Sequence, residues 1–388
     1  MNEFRFTTYA QEIIFGPGSV DRLGEAVERF HWRRLMLCST GSLSRAGHIV
    51  SIEKALGRRL VAIYEHVQPH VPEFQVAEAL ALASEKEIDA VIGMGGGSPI
   101  GMAKAVSLEL EEKRMGRPAR AAFPTEQPLV PVVAIPTTYA GSEMTPIYGT
   151  THYADGSARK ITVTDAKITP KLTIYDPLLT LDLSPEMTAS TGINALAHCI
   201  EALYSITRNP LSTAAALSGV RFINRALPRC YTVGNDLEAR TEMLVGAFLA
   251  GSALAHVTMA LHHGLCHVLG GTAGVPHGVA NSIMLPHAMR FNLDATAPQL
   301  AQAAEEMGIG RDQSGACISD KAAAEEAVER IYNLIARMNL PQHLRDVGVR
   351  EADLPRLAQA ALQSRAVQSN PKPITDAAQI EAVLRAAW

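Results

Sequence analysis

Ala90-Val91-Ile92-Gly93-Met94-Gly95-Gly96-Gly97-Ser98 is the stretch from which the fold of this chain is read. An apolar run of strand character passes into a glycine-rich turn, and a helical pattern, Pro99–Leu110, follows at once. Glycines at a strand-to-helix turn let backbone approach a phosphate closely, and the uncapped N–H groups of the helix start favour an anion. Ser98 can cap that helix or donate to a phosphate oxygen. The spacing is not G-x-G-x-x-G, so the ordinary dinucleotide fingerprint is absent. Strand before and helix after still favour phosphate binding over a plain tight turn.

Outward from this turn the same alternation continues. Arg34–Cys38, Leu60–Tyr64, Ala90–Gly93 and Val130–Ile135 read as strands, with helical patterns such as Ser19–Phe30 and Glu73–Lys86 between them. That order predicts a parallel sheet with right-handed crossovers. Glu111–Gln127 has no clear period and reads as a surface excursion. A second polar loop, Pro136-Thr137-Thr138-Tyr139-Ala140-Gly141-Ser142-Glu143, follows a strand end, where ligands bind in open α/β sheets. Thr137, Thr138 and Ser142 offer hydroxyls for a ribose or phosphate. After Leu183 the strands give way to long Ala- and Leu-rich segments separated by Pro and Gly. The expectation is an α/β dinucleotide-binding domain over 1–182 and an all-helical catalytic domain over 183–388.

With 388 residues, 47% of them hydrophobic and 19% charged, the chain is long enough for two cores. A net charge of −4 gives no footprint for nucleic acid. Met1-Asn2-Glu3-Phe4-Arg5 opens no basic segment followed by an apolar core, so no secretory leader is expected. No uncharged apolar run reaches the roughly 18 residues of a membrane span. The five cysteines are scattered, without a C-x-x-C pair, and read as reduced, mostly buried thiols of a cytoplasmic protein.

Chemistry enters with the histidines. His198 follows Asn194 by four residues on a predicted helix, and His263 and His267 are again four apart on another. Residues at i and i+4 share a helix face. His277 follows Pro276 on an expected loop. Four histidines so spaced can converge on one metal ion or form a proton relay.

At this point the chain resembles the iron-containing alcohol dehydrogenase superfamily over nearly its whole length. The similarity runs through Phe15-Gly16-Pro17-Gly18-Ser19, Gly95-Gly96-Gly97-Ser98, Pro136-Thr137-Thr138, Ile174-Tyr175-Asp176-Pro177 and Pro276-His277-Gly278-Val279-Ala280-Asn281. The resemblance implies a dehydroquinate synthase-like fold, a dimer, a metal site at Asn194, His198, His263 and His277, and a further histidine near substrate and nicotinamide at His267. It also implies a cofactor-side lysine at Lys160. Two positions depart from the pattern: the metal-binding aspartate is Asn194, and the aspartate after the glycine turn is Gly101. Both departures resemble the maleylacetate reductases, as do Thr138–Pro146, Ala260–His267 and His70-Val71-Pro72-Glu73. The length of the 111–127 excursion does not.

The substitutions have a chemical meaning. Without the Asp carboxylate the metal site loses its anionic ligand, so a tight iron site is not expected and metal is not expected to be required, although three imidazoles can bind zinc. Reducing a simple ketone develops an alkoxide, which a metal stabilises. Reducing an enone develops a less basic enolate, which histidine can serve by hydrogen bond or proton. The expectation is therefore a reductase of an unsaturated oxo-diacid, maleylacetate to 3-oxoadipate, in the breakdown of aromatic compounds. His267 and His277 would donate the proton or stabilise the oxyanion, with His198 and His263 completing the cluster. Cys38-Ser39-Thr40-Gly41-Ser42 follows the second strand without an acid, so NADPH as well as NADH is expected, with Ser39 on the cofactor side. The competing readings are a metal-dependent alcohol dehydrogenase of a simple alcohol or aldehyde, a metal-dependent lyase or synthase on the related scaffold, and a non-enzymatic binding protein.

Overall fold

The computed structural model describes residue 4 and residues 6–154, 157–310 and 315–388, without the side chains of 154–160. The chain divides into two compact units, Met1–Asp182 and Leu183–Trp388.

Unit 1 is built on a parallel sheet. Its strands are β1 (Glu12–Phe15), β2 (Leu35–Cys38), β3 (Leu60–Tyr64), β4 (Ala90–Gly95), β5 (Val132–Pro136) and, after a hairpin, β8 (Leu172–Tyr175), in the order β1-β8-β5-β4-β2-β3. The hairpin is β6 (Ile147–Ala154) with β7 (Ser157–Thr164), a separate antiparallel pair. The helices are α1 (Leu23–Arg29), α2 (Gly41–Arg45), α3 (His48–Leu56), α4 (Glu73–Glu85) and α5 (Gly97–Met115). Side chains alternate between two cores, as a pleated strand requires. Leu35, Leu37, Ala90, Ile92 and Met94 pack on one side, and Met36, Cys38 and Val91 on the other. Covered on both faces, the strands read as unbroken apolar runs.

From β2 the chain steps outward to β3 and then returns to the other side of β2 as β4. This reversal opens a crevice at the carboxyl ends of β2 and β4, the switch point where open α/β sheets bind ligands. Gly93 lets α5 pack onto β4 there. A Cβ on Gly93 would lie 2.7 Å from Ile100 Cα and 2.9 Å from the Pro99 carbonyl oxygen, both backbone atoms. Gly93→Ala is therefore expected to destabilise unit 1 by about 1–3 kcal/mol, read as a lower urea midpoint. An unchanged midpoint would show that α5 moves freely.

Unit 2 is helical: α6 (Pro185–Tyr204), α7 (Pro210–Thr232), α8 (Leu237–Leu254), α9 (Leu261–Ala273), α10 (His277–Glu306), α11 (Asp320–Arg337), α12 (Leu354–Leu362), α13 (Arg365–Gln368) and α14 (Ala377–Ala386). No helix among the described residues is long and apolar enough to cross a membrane. Ser184 caps α6, and Asn209 closes a capping box with Ser212 at the start of α7.

Two sequence expectations change. His277 is not on a loop: it is the first residue of the 30-residue α10, which continues through Pro286 and Pro298. Proline removes one helical hydrogen bond, so the sequence reads as two breaks. Here burial of Ile283, Met284, Leu285, Ala288 and Leu300 along the helix offsets that loss. The 111–127 excursion begins later, because Glu111–Met115 completes α5. Glu111 is buried, with the Lys167 ammonium 3.6 Å away, and Lys167 also pairs with Glu126 at 2.7 Å. The segment is thus pinned to unit 1 by a charge cluster. The β6–β7 hairpin has no counterpart in the sequence reading. Four of the five cysteines are buried and Cys317 is exposed.

Candidate active site

In unit 1 the glycine turn and the second polar loop meet. Thr137 N–H donates to the Gly95 carbonyl oxygen at 3.0 Å. A Cβ on Gly96 would lie 3.2 Å from Thr138 Oγ1 and 3.3 Å from Thr138 Cγ2. Glycine therefore keeps the turn clear against Thr138, whose buried hydroxyl has no hydrogen-bond partner. Gly96 is the N-cap of α5, and no side chain caps that helix. Ser98 is not a cap: it lies inside the first turn. Unsatisfied helix N–H groups beside an orphaned hydroxyl suit a phosphate group, so this part of unit 1 fits a dinucleotide.

Ser39 has a different task from the one expected of it. Its side chain is buried, its hydroxyl donates to the Met94 carbonyl at 3.2 Å, and its N–H donates to the Tyr64 carbonyl at 2.9 Å. The hydroxyl thus ties β2 to β4. Lys160 pairs with Thr151 in the hairpin, and its side chain lies outside the described residues.

In unit 2 three helices bring the histidines together. Asn194 and His198 lie one turn apart on α6, both buried. His263 and His267 lie one turn apart on α9, and His277 opens α10. The His198 and His263 rings stack at 4.7 Å and 15°. His263 lies 6.4 Å from His267 and 6.3 Å from His277, and the last two stack at 5.8 Å. Two glycines permit this convergence. A Cβ on Gly278 would lie 2.9 Å from Ser190 Cβ on α6, and one on Gly264 would lie 2.5 Å from Val367 Cγ2 on α13. The cluster grades outward, from His198 and His263 at 4% and 3% exposed, through partly buried His277, to exposed His267.

Sequence reasoning missed the group that organises the cluster. Glu201 on α6 is fully buried, and its Oε2 lies 2.6 Å from His263 Nδ1. It also accepts backbone N–H groups of Ala260 at 3.3 Å, His262 at 3.0 Å and His263 at 3.4 Å. The N-cap of α9 is Ala260, which has no side chain to cap with, so Glu201 caps α9 from the neighbouring helix. His262 presents Nε2 to the Asn281 carbonyl at 3.1 Å and Nδ1 to His263 Nδ1 at 3.2 Å. One signal was available: Glu201 follows Asn194 by seven residues and His198 by three, on the same helix face.

Electrostatics favour neutral rings. Burial holds His198 and His263 well below the ordinary imidazole range, and neighbouring imidazoles push them further down. Burial also lowers His262, against the pull of Glu201. Burial raises the Glu201 carboxyl, opposed by His262 and the three backbone donors. With Glu201 taking the Nδ1 proton of His263, the Nε2 lone pair is left over. His263 Nε2 and His198 Nδ1 are both buried without a hydrogen-bond partner. Two such imidazole nitrogens suit a divalent cation. The oxygen and ring nitrogens of Glu201, His262 and His263 also lie within 4.8 Å of one another. Glu201 Oε2 and His263 Nδ1 are already bonded to each other, however, so a cation seated there would break the cap of α9. The orphaned nitrogens are the better seat, with Glu201 orienting His263 from behind.

A parallel sheet with a glycine turn suited to phosphate at its switch point, followed by a helical unit holding clustered imidazoles, fits a dinucleotide-dependent oxidoreductase. The sequence patterns of two families match: "Iron-containing alcohol dehydrogenase" over residues 10–177 and "Fe-containing alcohol dehydrogenase family, C-terminal" over residues 188–388. The chain belongs to the iron-containing alcohol dehydrogenase family. It is 38% identical to a maleylacetate reductase of Pseudomonas knackmussii over 97% of this chain and 95% of that one. Among solved structures it resembles the maleylacetate reductase of Agrobacterium tumefaciens, with a TM-score of 0.83 and 31% identity, covering 100% of this chain and 99% of the other. The iron-containing alcohol dehydrogenase of Corynebacterium glutamicum is similar at a TM-score of 0.83 and 30% identity, covering 100% and 97%. The family uses NAD(P)H and typically iron or another divalent metal, so the expectation that metal is dispensable gains no support. Membership sets aside the non-enzymatic and lyase readings.

Proposed function

We propose that this enzyme reduces maleylacetate to 3-oxoadipate with NADH or NADPH, as a step in aromatic-compound breakdown. The observation that carries the reading is the charge character of the histidine cluster. Its carboxylate, Glu201, is engaged by His263 and the start of α9, and Asn194 brings a neutral amide where the family pattern has an acid. A dianionic substrate therefore meets neutral donors. The identity of 38% to a curated maleylacetate reductase supports the same substrate.

When bound, the dihydronicotinamide supplies a hydride to the alkene carbon distal to the ketone. The glycine turn 95–97 with Ser98, Thr137, Thr138 and Ser142 would hold the cofactor, and the family resemblance adds Lys160 to that set. In unit 2, negative charge develops on the ketone oxygen as an enolate, and His267 and His277 stabilise it and protonate the carbon next to the carbonyl. One hydride and one proton are consumed, giving the saturated oxo-diacid. A divalent cation, held by His198 and His263 with Asn194 and His277, would polarise the same oxygen, leaving His267 as the proton donor. With four neutral donors it would be held weakly. A homodimer in the cytoplasm belongs to this proposal on the family resemblance.

The test is maleylacetate turnover by chelator-treated, metal-analysed enzyme. Removal of the cation is expected to lower kcat about tenfold or more, restored by zinc or iron. Full turnover without metal would overturn the cation assignment and leave the histidines alone to stabilise the enolate. No turnover under any metal would favour the alcohol dehydrogenase reading, which the similarity to the Corynebacterium glutamicum enzyme keeps open.

A further inference from the structure

We propose that Lys104 is a positioning residue for the cofactor: its buried ammonium holds the 137–147 loop in the shape that presents Thr137, Thr138 and Ser142. The proposal rests on the reading of that loop as a nucleotide site. Lys104 lies in α5, two turns beyond the glycine turn, and its side chain is 0% exposed. Its Nζ donates to the carbonyl oxygens of Ser142 at 2.6 Å, Thr145 at 2.7 Å and Ile147 at 2.9 Å. Three N–H groups thus meet three carbonyls of one segment, and the Ser142 carbonyl also accepts the Thr145 N–H at 3.2 Å.

The same loop carries the counter-charge. Glu143 is buried beside the ammonium, its Oε1 accepts from Tyr175 Oη at 2.9 Å, and its carbonyl accepts from Gln11 Nε2 at 2.9 Å. The loop is therefore anchored from α5, from β8 and from the residue before β1. Burial pushes Lys104 down to about 7, and Glu143 opposes the shift. A methionine would fill this space without the desolvation penalty of an ammonium. The ammonium instead fixes the carbonyls of the segment that starts where Gly141 turns with φ 78°. None of this was legible from the sequence, where Lys104 reads as one polar residue in a helical pattern.

The test compares Lys104→Met, Lys104→Gln, Thr138→Ala and the parent full-length enzyme. Kd for NADH and NADPH is measured by nicotinamide fluorescence, and KM for maleylacetate alongside. A loop that visits the competent shape only a fraction of the time weakens binding by that fraction. Lys104→Met is expected to raise Kd for both nucleotides about tenfold at unchanged KM for maleylacetate, with Lys104→Gln, which keeps two donors, in between. A purely structural lysine would lower the melting temperature and leave Kd of the folded protein within twofold of the parent, which overturns the proposal. Should Lys104→Met not fold, Lys104→Gln decides by the same criterion. If Thr138→Ala leaves Kd unchanged while both lysine variants also do, the nucleotide reading of the loop fails with it. If Thr138→Ala alone weakens binding, only the positioning role fails.

Discussion

His267→Ala is expected to lower kcat for maleylacetate by about 10²–10⁴, the range of a lost general acid. His267 is the exposed end of a graded cluster and stacks on His277 at 5.8 Å. It is thus the ring best placed to exchange protons with solvent while its neighbours remain dry. Single-turnover kinetics separate the proton step from binding. Undiminished turnover in this variant would remove His267 from the mechanism and transfer its role to His277.

Glu201→Gln is expected to lower kcat about 10–100-fold, the usual consequence of losing a group that orients a ligand histidine. The side chains are nearly the same size, so packing is kept and only hydrogen bonding changes. The carboxylate accepts from His263 Nδ1 and from three backbone N–H groups at the start of α9. An amide has one oxygen to offer, and its NH2 faces donors. Either His263 changes tautomer, presenting a proton where the Nε2 lone pair was, or the first turn of α9 loosens. Both alter the cluster without touching the nucleotide loops. The readout is therefore a lower kcat and lower zinc content at unchanged Kd for NADH. Parent-level kcat and zinc content would show that α9 and His263 are held by other contacts.

Residue patterns alone carried a good deal. β2, β4 and β5 were legible as apolar runs because a sheet covered on both faces buries every residue of its inner strands, and the edge strand β3 keeps an apolar run while only partly buried. The glycine turn was legible because a strand and a helix flank it. Asn194, His198, His263 and His267 were legible because their four-residue spacing falls on helix faces. Each of these signals is local, set by backbone period or by the conformational freedom of glycine.

What remained was decided by tertiary contacts. α10 runs through Pro286 and Pro298 because burial along its length outweighs two lost hydrogen bonds, so His277 heads a helix and not a loop. Ser39 ties β2 to β4 because strand neighbours place Met94 beside it. Glu201 and Lys104 look like ordinary charged residues in helical patterns. Their roles arise from α9 lacking its own cap and from loop carbonyls that converge on one ammonium, two features that lie far away in sequence. Local sequence fixes period and turn. Which buried charge satisfies which stranded backbone group depends on how the elements pack, because a desolvated polar group takes whatever partner the fold brings within reach.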